Sequence, residues 1–190
     1  MTACILNGGP RKNGVVADIL TRIKSRLKDD TNVLYFNVYD ESIAPCIGCL
    51  ACRPDGKCVL PEDDAHRIAE AIQLSDILIV GTPTYWGNMT GPLKNLFDRC
   101  VPVFEYIDGF KIRKVQKGKR AIIVTASSAP YPFNQLPSQS RGAVKAVKTI
   151  LKAGGYHVVK TINLAHSSHY EDRKKRIYRT IDSCCSRINP

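Results

Sequence analysis

Four consecutive apolar residues, Ile77-Leu78-Ile79-Val80, closed by Gly81, restrict the possible folds of this chain more than any other segment. A strand with one face in water alternates apolar and polar residues. An unbroken apolar run means that both faces are covered, as in a parallel sheet flanked by helices. Beyond the run, Thr82 to Gly91 is rich in Gly, Pro and aromatic residues, and a new helix opens near Pro92. Proline is tolerated there because its missing N–H has no partner in a first turn, and Leu93, Leu96 and Phe97 then recur at helical spacing.

The same alternation runs from end to end. Strands are expected near Thr2 to Asn7, Val33 to Val38, Asp76 to Val80, Arg120 to Thr125 and Tyr156 to Ile162. Between them lie helical stripes: Val15, Ile19, Leu20, Ile23 and Leu27; Ile68 and Ile72; Leu93, Leu96 and Phe97; Val144, Val147 and Leu151, stopped by Gly154-Gly155; and Tyr170, Ile177, Ile181 and Ile188. Strands alternating with helices through right-handed crossovers give an α/β fold. Five parallel strands of this kind commonly take the three-layer, doubly wound order 2-1-3-4-5, with a crevice between the carboxyl ends of strands one and three. Two long connections, Tyr39 to Asp64 and Ser127 to Gln139, interrupt the regular spacing.

Residues 1–190 are expected to form one domain, large enough to bury about 70% of its extended surface without disulfides. No apolar run has the length of a membrane span, and MTACILNGGP carries no targeting pattern, so a soluble, cytoplasmic protein without a membrane partner is expected. The net charge of +11 is spread over several helix faces and the Lys111 to Arg120 loop, interleaved with core positions. Solvated helix faces and a diffuse field that attracts phosphorylated cofactors explain it, and no nucleic-acid partner is expected.

Asn7 to Val16, NGGPRKNGVV, joins the first strand to the first helix with three glycines, a proline and two cations. A helix start offers free N–H groups and a positive dipole end, which suit a phosphate; Arg11 or Lys12 adds charge-assisted bonds. The loop matches neither GxxxxGK[ST] nor GxGxxG, and glycines that only make a tight turn are the alternative. The switch-point rule brings this loop beside Pro83 to Gly91, where Tyr85, Trp86, Asn88 and backbone amides offer flat walls and polar edges that suit a flavin.

At these residues the chain resembles the flavodoxin-like NAD(P)H-dependent FMN reductases and, among them, the iron-sulfur flavoproteins. NGGPRKNG is similar to the family's phosphate loop, CIGCLACRPDGKC to its cysteine segment and TPTYWGNMTGPLKNLFDR to its isoalloxazine loop. The resemblance implies that Gly9, Arg11, Asn13, Gly14, Val15 and Val16 surround the FMN phosphate. It also implies that Pro83, Thr84, Tyr85, Trp86, Gly87 and Asn88 line the ring, closed on the other side by Ser127 and Ser128. Where the family carries Ser and Asn-Thr, this chain has Gly9 and Val15-Val16. Three polar side chains are missing, at about 1 kcal/mol for each neutral hydrogen bond, so FMN affinity should be weaker by one or two orders of magnitude unless backbone groups and Arg11 compensate.

Cys46, Cys49, Cys52 and Cys58 follow C-x2-C-x2-C-x5-C, near a ferredoxin run but with a longer last spacing. The spacing marks the four as a set. The resemblance implies a four-iron, four-sulfur cluster; zinc, a redox disulfide such as Cys46 to Cys49, and a metal-free loop are the alternatives. Cys4, Cys100, Cys184 and Cys185 read as structural thiols, and the four histidines show no ligand spacing.

The expected activity is an oxidoreductase that takes electrons from NAD(P)H through FMN to an acceptor, with no catalytic acid or base from the protein, assembled as a homodimer or homotetramer. The alternatives are a flavoprotein electron carrier or redox-responsive binding module without a nicotinamide site and, further off, the same fold binding no flavin.

Overall fold

Along the strand Ile77–Pro83 successive side chains point to opposite faces of the sheet, and each face has its own helices, which is why Ile77 to Val80 is apolar without a break. The computed structural model of the chain describes residues 1–185. In order, these form β1 (Thr2–Asn7), α1 (Val15–Lys24), β2 (Asn32–Asn37), a short α2 (Cys52–Asp55), α3 (Asp64–Leu74), β3 (Ile77–Pro83), α4 (Gly91–Arg99), α5 (Val101–Phe104), β4 (Glu105–Asp108), β5 (Lys111–Lys114), β6 (Arg120–Ala126), α6 (Ser140–Gly154), β7 (His157–Leu164) and α7 (Tyr170–Cys185). Five of the strands pair in parallel in the order β2-β1-β3-β6-β7. That is the doubly wound order expected, with β6 and β7 as its fourth and fifth strands.

Ile5, Ile77, Ile79, Ile122 and Val124 pack with Val16, Ile19, Leu20 and Ile23 of α1 and Ile181 of α7. The alternate residues Cys4, Leu6, Leu78, Val80 and Ile123 pack on the other face with Ile68, Ile72, Leu93, Leu96, Phe97, Val147 and Leu151 from α3, α4 and α6. Burying each of these large side chains contributes roughly 1.5–3 kcal/mol, so the two layers fix the sheet and, with it, the positions of its carboxyl-end loops. Gly81 lets α1 close in at the carboxyl end of β3, since a Cβ there would lie 2.7 Å from both Leu20 Cδ1 and Val16 Cγ1.

Contrary to the loop expected over Lys111 to Arg120, Lys111–Lys114 pairs antiparallel with Glu105–Asp108 as a separate two-stranded ribbon. Its turn carries Gly109 at φ 59, the first central position of a II′ hairpin. The cysteine connection, also read as loop, contains the single turn α2, ended by Gly56 at φ 68. Ile188 and the side chain of Cys184 lie outside what is described.

Helices α1 and α7 are clamped through Asp18. Its carboxylate accepts hydrogen bonds from the Tyr170 and Tyr178 hydroxyls, the latter at 2.8 Å, and pairs with Lys174 at 3.3 Å. Burial alone would raise this carboxyl, but the bonds from Tyr170, Tyr178 and Lys174 together hold it below its ordinary 3.8. A depressed folded value means that the contribution of Asp18 is complete above the ordinary value and is lost as pH falls through the lower folded one. Urea unfolding should therefore show Asp18→Asn less stable than wild type at neutral pH, with the gap closing below about pH 4. A gap unchanged at roughly pH 3 would contradict this.

Candidate functional site

At the carboxyl edge of the sheet the two loops singled out in the sequence are laced together. The Gly8 N–H donates to the Gly81 carbonyl at 2.7 Å, tying the end of β1 to β3. Asn7 fixes the next residue, its Oδ1 accepting the Gly9 N–H at 3.0 Å while its Nδ2 donates to Asn37 Oδ1 at 3.0 Å. From the far end of the second loop, Thr90 donates its hydroxyl to the Gly8 carbonyl at 2.8 Å, and its N–H donates to Thr82 Oγ1 at 3.2 Å. Apart from the half-buried Asn37, these groups are buried, so the bonds are strong in place and expensive to leave unmade.

Between the loops lies a cavity of ≈ 190 Å³ walled by Gly9, Arg11, Gly14, Val15 and Val16 on one side, Pro83, Thr84 and Tyr85 on another, and Ser127 and Ser128 on a third. Ten of the fourteen residues expected in a flavin site thus meet around one space. Asn13 lines an adjoining cavity of ≈ 490 Å³ that shares Arg11, Gly14 and Val15 with the first. Trp86, Gly87 and Asn88 line neither. Tyr85 and Asn88 exchange backbone hydrogen bonds of 3.0 and 2.9 Å around Trp86 and Gly87, both at positive φ, which makes a I′ turn with Trp86 fully exposed at its tip. Pro10, Ala126 and Ser167 also line the main cavity and were not anticipated. Ser167 follows β7, the neighbour of β6, and its N–H donates to the Ser127 carbonyl at 2.9 Å. The rule that ligands sit at carboxyl ends of strands, applied to the fifth strand as well as the first and third, points to it.

The cavity wall carries unused hydrogen-bonding capacity. Among the described residues Ser127 Oγ and Thr84 Oγ1 are buried without a partner, whereas their backbone N–H groups are spoken for, by Leu164 and Ala126 respectively. Helix α1 starts at Gly14 with no side-chain cap, so its first N–H groups and its positive dipole end are left for a ligand. Lys12 is drawn off to Asp40 at 2.9 Å. Arg11 also stands at the helix start, its side chain folded over Gly14: a Cβ there would lie 3.8 Å from Arg11 Nε. Unpartnered hydroxyls, a bare helix start and a guanidinium in one crevice fit a phosphorylated, polar-edged ligand such as FMN.

The four clustered cysteines also share one space. Cys46 and Cys49 are exposed and Cys52 and Cys58 half-buried, all as free thiols, and all four line a cavity of ≈ 90 Å³ beside Arg99. Among the described residues no three cysteine, histidine or acidic side chains converge as a single metal ion requires. Cys4 and Cys100 are buried in the core, where burial pushes the Cys100 thiol up to about 12 and Cys4 further still. Neither can serve as a thiolate near neutral pH.

A doubly wound parallel sheet with its crevice at the switch point, walled by a phosphate-type loop and an aromatic loop, defines a flavodoxin-like protein. The chain belongs to the NADPH-dependent FMN reductase family, which it matches over residues 1–168. It is 37% identical over 108 residues to an iron-sulfur flavoprotein of Clostridioides difficile, covering 55% of this chain and 48% of that one. A second iron-sulfur flavoprotein, from Archaeoglobus fulgidus, is 34% identical over 101 residues, or 52% and 48% of the two chains. The chain thus spans about half the length of the curated relatives it matches. Among solved structures, an FMN-dependent NADH-azoreductase of Bacillus anthracis in complex with FMN superposes with a TM-score of 0.78 at 14% identity, covering 100% of this chain and 99% of that one. An NAD(P)H:quinone oxidoreductase of Methanothermobacter marburgensis gives 0.68 at 16% identity, with 96% of each chain covered. At such identities the likeness is one of fold. No described helix is long and apolar enough to cross a membrane.

Proposed function

We propose that the chain is a single flavin-binding unit that holds FMN between the ends of β1 and β3 and passes electrons from NAD(P)H through it to an acceptor. The observation that carries this reading is the pair of buried, unpartnered hydroxyls, Ser127 Oγ and Thr84 Oγ1, on the wall of a cavity that also contains the uncapped start of α1. Bound FMN supplies the redox chemistry, accepting a hydride equivalent from a nicotinamide and releasing electrons to an acceptor. The protein supplies position and field. Arg11 and the first N–H groups of α1 hold the phosphate; Thr84, Ser127 and Ser128 offer polar contacts to the rest of the ligand; Pro83 and Tyr85 wall the ring. No acid or base is asked of the chain. Steady-state oxidation of NADH or NADPH with FMN and a quinone acceptor tests the activity. Slow reduction by both nucleotides together with fast reduction by dithionite would instead identify an electron carrier.

Gly9 and Val15 give the phosphate no side-chain donor. The double variant Gly9→Ser/Val15→Asn is expected to bind FMN about tenfold more tightly in a fluorescence titration, at about 1 kcal/mol per restored bond with part lost to imperfect geometry. An unchanged Kd would mean that the phosphate lies elsewhere.

The cysteine pocket is proposed to hold a four-iron, four-sulfur cluster. A single zinc needs its thiolates converged on one point at about 2.3 Å, whereas a cluster takes each thiolate on a different iron, and four thiols spread around one cavity suit the second arrangement. An anaerobic absorbance spectrum with iron analysis tests it: brown absorbance with iron supports the cluster, and colourless protein free of iron removes it. Trp86 and the exposed Tyr131, Phe133 and Leu136 lie on two loops that touch at Gly87 and Ser138, an apolar rim suited to a second copy of this chain. Light scattering that finds only monomer would refute that assembly.

A further inference from the structure

Arg99 ends α4, the helix that leaves the flavin loop, and its side chain is wholly buried. Its Nη1 donates to the Ala44 carbonyl at 2.7 Å and to Asp63 Oδ2 at 2.6 Å, and Nη2 donates to Asp63 Oδ1 at 3.1 Å. Asp63 in turn accepts the Ala44 N–H at 3.0 Å. Ala44 precedes the cysteine segment and Asp63 follows it, so one guanidinium and one carboxylate bind the two ends of the loop to each other. A helical turn earlier, Asn95 Nδ2 donates to the Ile43 carbonyl at 2.9 Å. Fastening a loop does not account for everything here. Among the described residues Arg99 Nε is buried with no hydrogen-bond partner, which costs free energy unless something takes the bond. Arg99 and Cys58 line both the thiol cavity and a second cavity of ≈ 210 Å³ that reaches His66 and Glu70.

We propose that Arg99 is the positioning residue of the cysteine segment: it fastens both ends of the loop and keeps its remaining N–H for an anionic, thiolate-bound group anchored at Cys58. A thiolate-ligated cluster carries net negative charge, and a fixed buried cation beside it offsets the cost of burying that charge. The loop-fastening half stands without the cluster; the anion half rests on the cluster reading above.

The wild-type chain, Arg99→Gln and Arg99→Lys, reduced and kept anaerobic, are treated with iodoacetamide, and alkylation is followed at each cysteine by mass spectrometry before and after reconstitution with iron and sulfide. In wild type, Cys52 and Cys58 should react more slowly than the exposed Cys46 and Cys49. In Arg99→Gln their rates should rise by about tenfold or more as the loop opens locally. Cys4 and Cys100 should stay unreactive, and FMN should titrate as in wild type. Arg99→Lys, which keeps the charge but not the fork, should fall between, and iron retention should follow the same order. Unchanged rates at Cys52 and Cys58 overturn the proposal. Equal acceleration at Cys4 and Cys100 does so too, because it reports general unfolding. Should Arg99→Gln fail to fold, Asp63→Asn must give the same selective acceleration or the proposal falls. A wild type that retains no iron defeats the cluster reading and with it the anion half, while alkylation still decides the loop-fastening half.

Discussion

Replacing Gly142 by Ala is expected to cost about 3 kcal/mol and to lower the melting temperature by roughly 6–12 °C. Gly142 lies in the first turn of α6, and a Cβ there would stand 2.1 Å from the Pro137 carbonyl oxygen and 2.2 Å from that of Gly87. Both obstacles are backbone, so no rotamer change relieves them. Either the Ser127 to Gln139 connection moves away from the Tyr85–Asn88 turn, or α6 leaves the sheet. Because that turn opens with Tyr85, which walls the cavity, FMN affinity should fall with stability. Gly91→Ala serves as the control. Nothing beyond its chain neighbours lies within 4 Å of a Cβ at Gly91, the first residue of α4, so the same chemical change there should cost no more than about 1 kcal/mol, from the crowding of a Cβ against the Pro92 ring. Thermal unfolding of the two variants side by side checks the pair, and similar melting temperatures would contradict it.

Arg11→Glu is expected to weaken FMN binding by about a hundredfold or more. A charge-assisted hydrogen bond to phosphate contributes about 1.5–3 kcal/mol, and the new carboxylate adds repulsion against a dianion. The effect should be large here because the loop has little else to offer: Gly14 leaves α1 uncapped, Val15 and Val16 donate nothing from their side chains, and Lys12 is engaged with Asp40. Arg11 itself is exposed, so stability should hardly change. A fluorescence titration that shows Arg11→Glu binding like wild type would remove the phosphate from this loop.

The sheet was legible in the sequence because its central strands have no solvent face. A run such as Ile77 to Val80 has few other solutions, and once the order is doubly wound the two loops must meet. The ribbon of Glu105–Lys114 was not read, because its charges resemble a solvated loop and its apolar residues are mostly exposed. Its Asp108-Gly109 pair between apolar residues is nevertheless a hairpin signal. The site divided along a similar line. Gly9, Arg11, Thr84 and Ser127 were found from strand ends and from resemblance, both of which follow chain position. Trp86 went to the tip of its turn and Ser167 entered the wall because the side-chain direction at a positive φ, and the approach of a loop distant in the chain, depend on three-dimensional packing. Arg99 gave no signal at all. In sequence it is one more cation near the end of an amphipathic helix, and its partners Ala44 and Asp63 are 55 and 36 residues away.

Crystals of the chain soaked in FMN test the central claim most directly. The predicted density is one flavin between the ends of β1 and β3, its phosphate at the start of α1 within reach of Arg11, and Ser127 Oγ and Thr84 Oγ1 no longer without partners. An empty crevice after soaking, or a flavin bound at another surface, would contradict the claim.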